Sequence, residues 1–169
     1  MSSVLRWLRY PRVRALSLVA AVALGAQQVV AEPPSPFLKF IGNWSGAGQI
    51  VGSNGHRESI RCRAEYAEAK GGSALNQGIV CASESFKLNI HSYVESSGES
   101  VQGYWKEATR DVSGQVTGRV SEGRFEGELS APSFTAGISL TSNGRIQAVS
   151  IQPRGGDISD VRIELKRNG

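Results

Sequence analysis

From residue 43 onward the chain consists of short runs in which apolar and polar side chains alternate, each broken by Gly, Asn or Ser. The runs span 43–51, 58–68, 74–82, 85–95, 100–107, 113–121, 124–131, 134–142, 145–152 and 158–166. Alternation with a period of two marks a half-buried strand, and no stretch carries the 3.6-residue apolar pattern of a helix. The short Gly-containing turns between runs read as a series of antiparallel hairpins.

Pairing tests this pattern, because paired strands put their apolar residues on one face. A two-residue turn at Glu122 and Gly123 sets Val120 against Phe125, Gly118 against Gly127 and Val116 against Leu129. On the other face Arg119 then meets Glu126 and Thr117 meets Glu128, with opposite charges directly across. A type I′ turn at Asn143 and Gly144 puts Leu140, Ile138 and Ala136 on one face with Gln147, Val149 and Ile151. A turn at Ser97 and Gly98 pairs Val94 with Val101, Ile90 with Trp105 and, facing outward, His91 with Tyr104. Around Asn54 and Gly55 only an odd loop works; it pairs Trp44 with Tyr66, Gly48 with Cys62 and Ile50 with Ile60. A four-residue turn over 70–73 sets Cys62 opposite Cys81 as a non-hydrogen-bonded pair, the geometry that suits a cross-strand disulfide.

A meander of hairpins with one apolar face per strand closes as an all-β, up-and-down antiparallel barrel of about 8–10 strands. Gly46, Gly48, Gly103, Gly118 and Gly127 fall on inward faces, where a missing side chain permits bending or leaves internal space. The outward faces carry Thr117, Arg119, Glu126, Glu128, Arg162, Glu164 and Lys166. Outer-membrane barrels are apolar outside, so this barrel is expected to be soluble and not membrane-embedded.

The first 31 residues have a different character. Arg6, Arg9, Arg12 and Arg14 precede an apolar run over 15–26, and Val29, Val30 and Ala31 lead into Glu32 and Pro33. A basic start, a short apolar run and small residues at the end read as a secretory signal cleaved after Ala31. The domain plan is then a signal over 1–31, a Pro-rich lead-in over 32–39, expected to be extended and mobile, and one barrel over 40–169. The four arginines leave with the signal and no acid does, so the 19 basic residues fall to match the 15 acidic ones. That balance offers no electrostatic footprint for nucleic acid. Export, to the periplasm or the medium of a bacterium, also makes a disulfide the natural state of the two cysteines.

The segment Gly42-Asn43-Trp44-Ser45-Gly46-Ala47-Gly48 resembles the Gly-x-Trp strand opening of the calycin superfamily, and its fuller glycine spacing is similar to nitrobindins, barrels that hold haem. The mature chain also resembles a group of small exported proteins of alphaproteobacteria, which implies a compartment and no activity. The calycin likeness implies a basic side chain from the end of the barrel covering Trp44, for which Arg162 and Arg167 are candidates, although solvation is the default for both. The nitrobindin likeness implies a haem-ligating histidine near the C-terminus. Residues 161–169 hold none, and the two histidines are His56 beside a turn and His91 on an outward face.

No metal cluster can be assembled from two histidines and two paired cysteines, and no cofactor is expected. No nucleophile elbow appears, and Glu107, at a strand end, reads as solvated with no second acid converging on it. Non-enzymatic readings lead. One is a barrel holding a small apolar or amphipathic ligand, lined by Trp44, Tyr66, Gln77, Ile90, Ser92 and Trp105. The other is an envelope structural or interaction protein with a solid core, and internal space separates the two. A haem-binding or hydrolytic barrel is the remote third.

Overall fold

The alternation resolves into β1 (Gly42–Gly52), β2 (Arg57–Ala69), β3 (Ala74–Ala82), β4 (Lys87–Ser97), β5 (Ser100–Glu107), β6 (Val112–Ser121), β7 (Arg124–Ala131), β8 (Phe134–Ser142), β9 (Ile146–Arg154) and β10 (Ile158–Arg167). A computed structural model describes residues 34–169, so the export-signal reading of residues 1–31 lies outside the described part. Each strand pairs antiparallel with the next and β10 returns to β1, closing the barrel. Apart from one 3-10 turn at Lys70–Gly72, the described residues form no helix.

Every expected face is correct, but three registers shift by two residues. The β6–β7 hairpin pairs as expected, Val120 with Phe125 and Arg119 with Glu126, and both turn residues have positive φ (Glu122 50°, Gly123 87°), as type I′ requires. In the β4–β5 hairpin, Ser97 pairs with Ser100 around Gly98 and Glu99, so Tyr104 lies opposite Tyr93 and His91 opposite Lys106. The β8–β9 turn is likewise Gly144 and Arg145, closed by Asn143 N–H donating to Ile146 O at 3.2 Å, and Leu140 meets Val149. In both turns glycine holds the first loop position with positive φ, the type II′ pattern, where type I′ would place it second. Between β1 and β2 the loop is odd, as expected, but Trp44 meets Ala64, Gly48 meets Ile60 and Ile50 meets Glu58. A slip of two keeps every side chain on its face, so hydrophobic alternation cannot detect it.

One end of the barrel is closed by its own N-terminal segment, the chief departure from expectation. The lead-in is not extended from Ser35 onward. It folds as a turn whose Phe37 and Phe40 are buried in the core. Ser35 Oγ donates to Gly72 O at 2.6 Å, Ser142 Oγ to Lys39 O at 2.6 Å and Lys39 Nζ to Glu122 O at 2.9 Å, latching this strap to three hairpin loops. Beneath it, the Trp44 indole donates to Phe40 O at 2.8 Å and is fully buried. Arg167 covers the ring at 4.9 Å, whereas Arg162 lies outside against Asp160. Residues 35–41 and the end of β10 lie at this closed end, and among the described residues the other end is bounded by the connections β1–β2, β3–β4, β5–β6, β7–β8 and β9–β10. Arg110 stacks on Phe86 there at 4.2 Å.

The inward glycines serve curvature more than space. A Cβ on Gly46, Gly48, Gly103, Gly118 or Gly127 would fall about 1.9–2.3 Å from a carbonyl oxygen of the adjoining strand. The strands therefore coil more tightly at these points than any other residue allows. Phe125 lies across Gly118 and Gly127, its ring 2.8 Å from where either Cβ would be.

Cys62 and Cys81 are Cα partners of β2 and β3, 4.1 Å apart and disulfide-bonded. The bond closes a loop of 19 residues between strands that already pair, so it chiefly restricts the unfolded chain. Replacing both cysteines by alanine should leave the circular dichroism spectrum intact and lower stability by about 3 kcal/mol in urea denaturation.

Candidate functional site

The six residues expected to line a ligand site do face inward, and the pairing groups them into two adjacent rows. Tyr66, Gln77, Ser92 and Trp105 are successive Cα partners across β2, β3, β4 and β5, and the row continues to Gly114. Trp44, Ala64, Ile79, Ile90 and Glu107 form the next row. Ser92 Oγ donates to Gln77 Oε1 at 2.6 Å, which orients the Gln77 amide and leaves its NH₂ as the free donor. Trp105 lies across Gly114, where a Cβ would be 3.0 Å from its ring, and reaches Phe134 at 5.8 Å between centroids.

The residues divide by depth. Trp44 belongs to the floor, not to an accessible wall, and Tyr66 and Trp105 are largely packed, at 3% and 7% exposure. Gln77, Ile90 and Ser92 are half-buried although they point inward in mid-strand. Ile79, Leu129, Ile138, Val149, Ile151 and Ile163 share that state on the surrounding walls. Ile79, Ile90, Leu129, Ile138, Val149 and Ile163 pack against the buried core while keeping partial exposure, so the middle of the barrel is less tightly enclosed than its closed end. Strand parity could have named them, but alternation alone does not distinguish a lumen wall from a packed core.

Charge sits at the ends of this lumen. At the open end Glu107 is buried, not solvated as expected. Burial opposes its ionisation, but the N–H groups of Asn89, Thr109 and Arg110 donate to its carboxylate at 2.8–3.0 Å and hold its pKa down at about 2. Hydrogen bonds from Ser83 and Ser85 likewise hold Glu58 down at about 2. Glu58 belongs to a small cleft of about 200 Å³ at the rim, with Ile50, His56, Phe86 and Asp157 among its walls. At the closed end Arg167 stacks on Trp44 and its Nε donates to Gly144 O at 2.6 Å. Between these ends Tyr66 is the one inward ionisable side chain outside the disulfide, and burial pushes its phenol up, so it stays protonated. The floor holds one anomaly: Gln147 is fully buried, and neither its amide oxygen nor its nitrogen has a partner.

A larger concavity of about 540 Å³ lies on the outer surface of β8, β9, β10 and β1. It is a shallow saddle over Ala47, Ser139, Ala148 and Ser150, flanked by exposed Arg162 and Glu164, and Val149 and Ile163 contribute to it as well. A haem in the lumen does not fit the residues present. His91 points outward beside Lys106, His56 is exposed at the rim, and the inward residues of β10 are Val161, Ile163, Leu165 and Arg167. Both cysteines are bonded and the Tyr66 phenol stays protonated, so no side chain among them supplies an axial ligand.

The two buried polar groups make opposite predictions. Glu107→Gln should cost about 1–3 kcal/mol at neutral pH, since a carboxylate that accepts three N–H bonds becomes an amide that cannot. Because its folded pKa lies below the ordinary 4.5, its contribution is complete above that pH and lost as the pH falls toward 2. Urea midpoints of the variant and the parent should therefore differ at pH 7 and converge at pH 2. Gln147→Leu should raise the urea midpoint at pH 7, because it removes two unsatisfied buried groups; a loss of stability would show that the amide finds a partner in solution.

No protein-family model and no curated protein matches the sequence. Solved structures do. The crystal structure of Rv2717c from M. tuberculosis superposes with a TM-score of 0.64 at 15% identity, covering 82% of this chain and all of that one. The S-type phycobiliprotein lyase CPES from Guillardia theta superposes with a TM-score of 0.54 at 10% identity, covering 79% of this chain and 90% of that one. At such identities the likeness shows the fold alone, a small closed β-barrel.

Proposed function

We propose that this chain is an exported, non-enzymatic barrel that carries a small apolar or amphipathic ligand in its lumen. The observation that carries the reading is the half-buried state of inward residues at mid-strand, Ile79, Ile90, Ile138, Val149 and Ile163, in a barrel closed at one end. The walls are aliphatic and aromatic with a few amides and hydroxyls, the composition of a ligand site. The strap over the floor directs entry to the opposite rim. Export is supported by the disulfide and by the basic-then-apolar N-terminus, and the strap begins at Ser35, shortly after the expected cleavage point.

No helix among the described residues is long and apolar enough to cross a membrane. The inward faces are apolar and the outward faces carry Arg61, Arg63, Glu65, Arg119, Glu126, Arg162 and Glu164, the reverse of an outer-membrane barrel. The outer saddle favours a second reading, an interaction protein of the envelope, and that reading needs no lumen.

A single substitution separates the two. Ser92 is half-buried in the middle of the wall, so Ser92→Phe should fill space a ligand needs while leaving the outer surface untouched. The neutral fluorophore N-phenyl-1-naphthylamine should bind the parent one-to-one in native mass spectrometry and bind Ser92→Phe at least about tenfold more weakly. Failure of the probe to bind the parent would leave the interaction reading standing alone.

A further inference from the structure

We propose that the lumen selects an uncharged amphiphile over the anionic form of the same skeleton, so that the natural ligand is neutral and carries a hydroxyl, carbonyl or amine. This rests on the binding reading above and adds the chemical class of what is bound.

By register Glu58, Glu68, Glu107 and Arg167 are the ionic residues on the inward face, all near its two ends; Glu68 and Arg167 are exposed at the closed end, and Glu58, Glu107 and Arg167 are already engaged by their own chain. Ser85 N–H and Oγ donate to Glu58 at 2.8 and 2.5 Å, three backbone N–H groups hold Glu107, and Arg167 is spent on Trp44 and Gly144 O. Along the wall between them the inward positions of β3, β4, β8 and β9 hold no cation: Leu75, Gln77 and Ile79 on β3, then Ile90, Ser92 and Val94 on β4. Across the barrel stand Ile138, Leu140, Val149 and Ile151. A carboxylate or sulfonate carried inside would surrender its hydration and meet no counter-charge, which costs far more than burying a neutral dipole. At the rim it would also pass Glu58 and Glu107, both ionised at neutral pH, while Arg110 there is already paired with Glu107 at 3.6 Å and stacked on Phe86.

The polar groups that do face inward are those a neutral ligand needs. Gln77 has its oxygen taken by Ser92 and its NH₂ free. Tyr66 is a protonated phenol in the same row. At the floor, the wholly buried Gln147 carries both an unmatched donor and an unmatched acceptor, in the row formed with Leu165 and Ser142. An amide can match a hydroxyl, carbonyl or amine by hydrogen bonding, but it cannot neutralise an ion.

The test uses two probes that share one skeleton. N-phenyl-1-naphthylamine is neutral, and 8-anilino-1-naphthalenesulfonate is the same molecule bearing a sulfonate. Titrated at pH 7.5 into the disulfide-bonded protein lacking residues 1–31, with stoichiometry checked by native mass spectrometry, the neutral probe should bind one-to-one and at least about tenfold more tightly than the sulfonate. Gln77→Lys, with its fold verified by circular dichroism, should narrow that ratio or reverse it by supplying the missing cation. Ser92→Lys, on the next strand of the same row, serves the same purpose if Gln77→Lys does not fold. Equal or tighter binding of the sulfonate by the parent would overturn the selectivity and leave the binding barrel standing. A neutral probe that binds with its preference unchanged in a folded lysine variant would overturn it too. If neither probe binds the parent, both the binding reading and this inference fall.

Discussion

Trp44 and Arg167, at opposite ends of the domain in sequence, face each other across the seam where β1 pairs with β10. Every other pairing joins strands that are neighbours in sequence, but this one turns a sheet into a barrel and removes its two open edges. The side chains explain why it forms at this register. Gly42, with φ of 127°, leaves room for the guanidinium, which would lie 2.9 Å from a Cβ there. The Trp44 indole is tied to Phe40 O, so the stack that closes the seam also seats the strap. A cation–π contact of this kind contributes about 0.5–2 kcal/mol, but its position is what counts, since ring, strap and both terminal strands lose their reference together without it.

The strap covers one end only, and the glycines set how tightly the strands coil between the two ends. Ten strands enclose more volume than short side chains fill, and tight coiling at Gly46, Gly48, Gly103, Gly118 and Gly127 recovers part of it by drawing the walls inward. Phe125 over its glycine pair and Trp105 over Gly114 fill two further regions. Gln77, Ile90, Ser92 and the isoleucines across from them are left half-buried.

Much of this was legible in the sequence. All ten strands stand within two residues of their expected bounds, and alternation alone sends all six candidate lining residues inward; the Cys62–Cys81 pairing and the β6–β7 register follow once the turn lengths are added. The failures share a cause. A two-residue slip is invisible to a period-two pattern, so Ser97-Gly98 and Asn143-Gly144 misplaced their turns by one residue each, and His91 was set beside Tyr104 instead of Lys106. The strap was missed because two phenylalanines in a Pro-rich stretch have no periodicity to read. Arg167 and Glu107 read as solvated because their partners, an indole from the first strand and three backbone N–H groups of a loop, meet them only in three dimensions. Gly114 carried no signal until Trp105 was seen lying on it.

Glu107 and Gln147 are both buried polar side chains, and the contrast between them says where function resides. Glu107 has its carboxylate bonded by the turn it organises, so its burial is accounted for by folding alone. Gln147 has no such account. A leucine of similar volume would serve a solid core better by roughly 1–3 kcal/mol, since an enclosed amide without partners forfeits hydrogen bonds that water would have given it. Local choices that work against stability are expected where a fold serves something other than itself. Here the choice stands at the closed end of the barrel beside Leu165 and Ser142, where the proposed ligand would supply the partner the amide lacks.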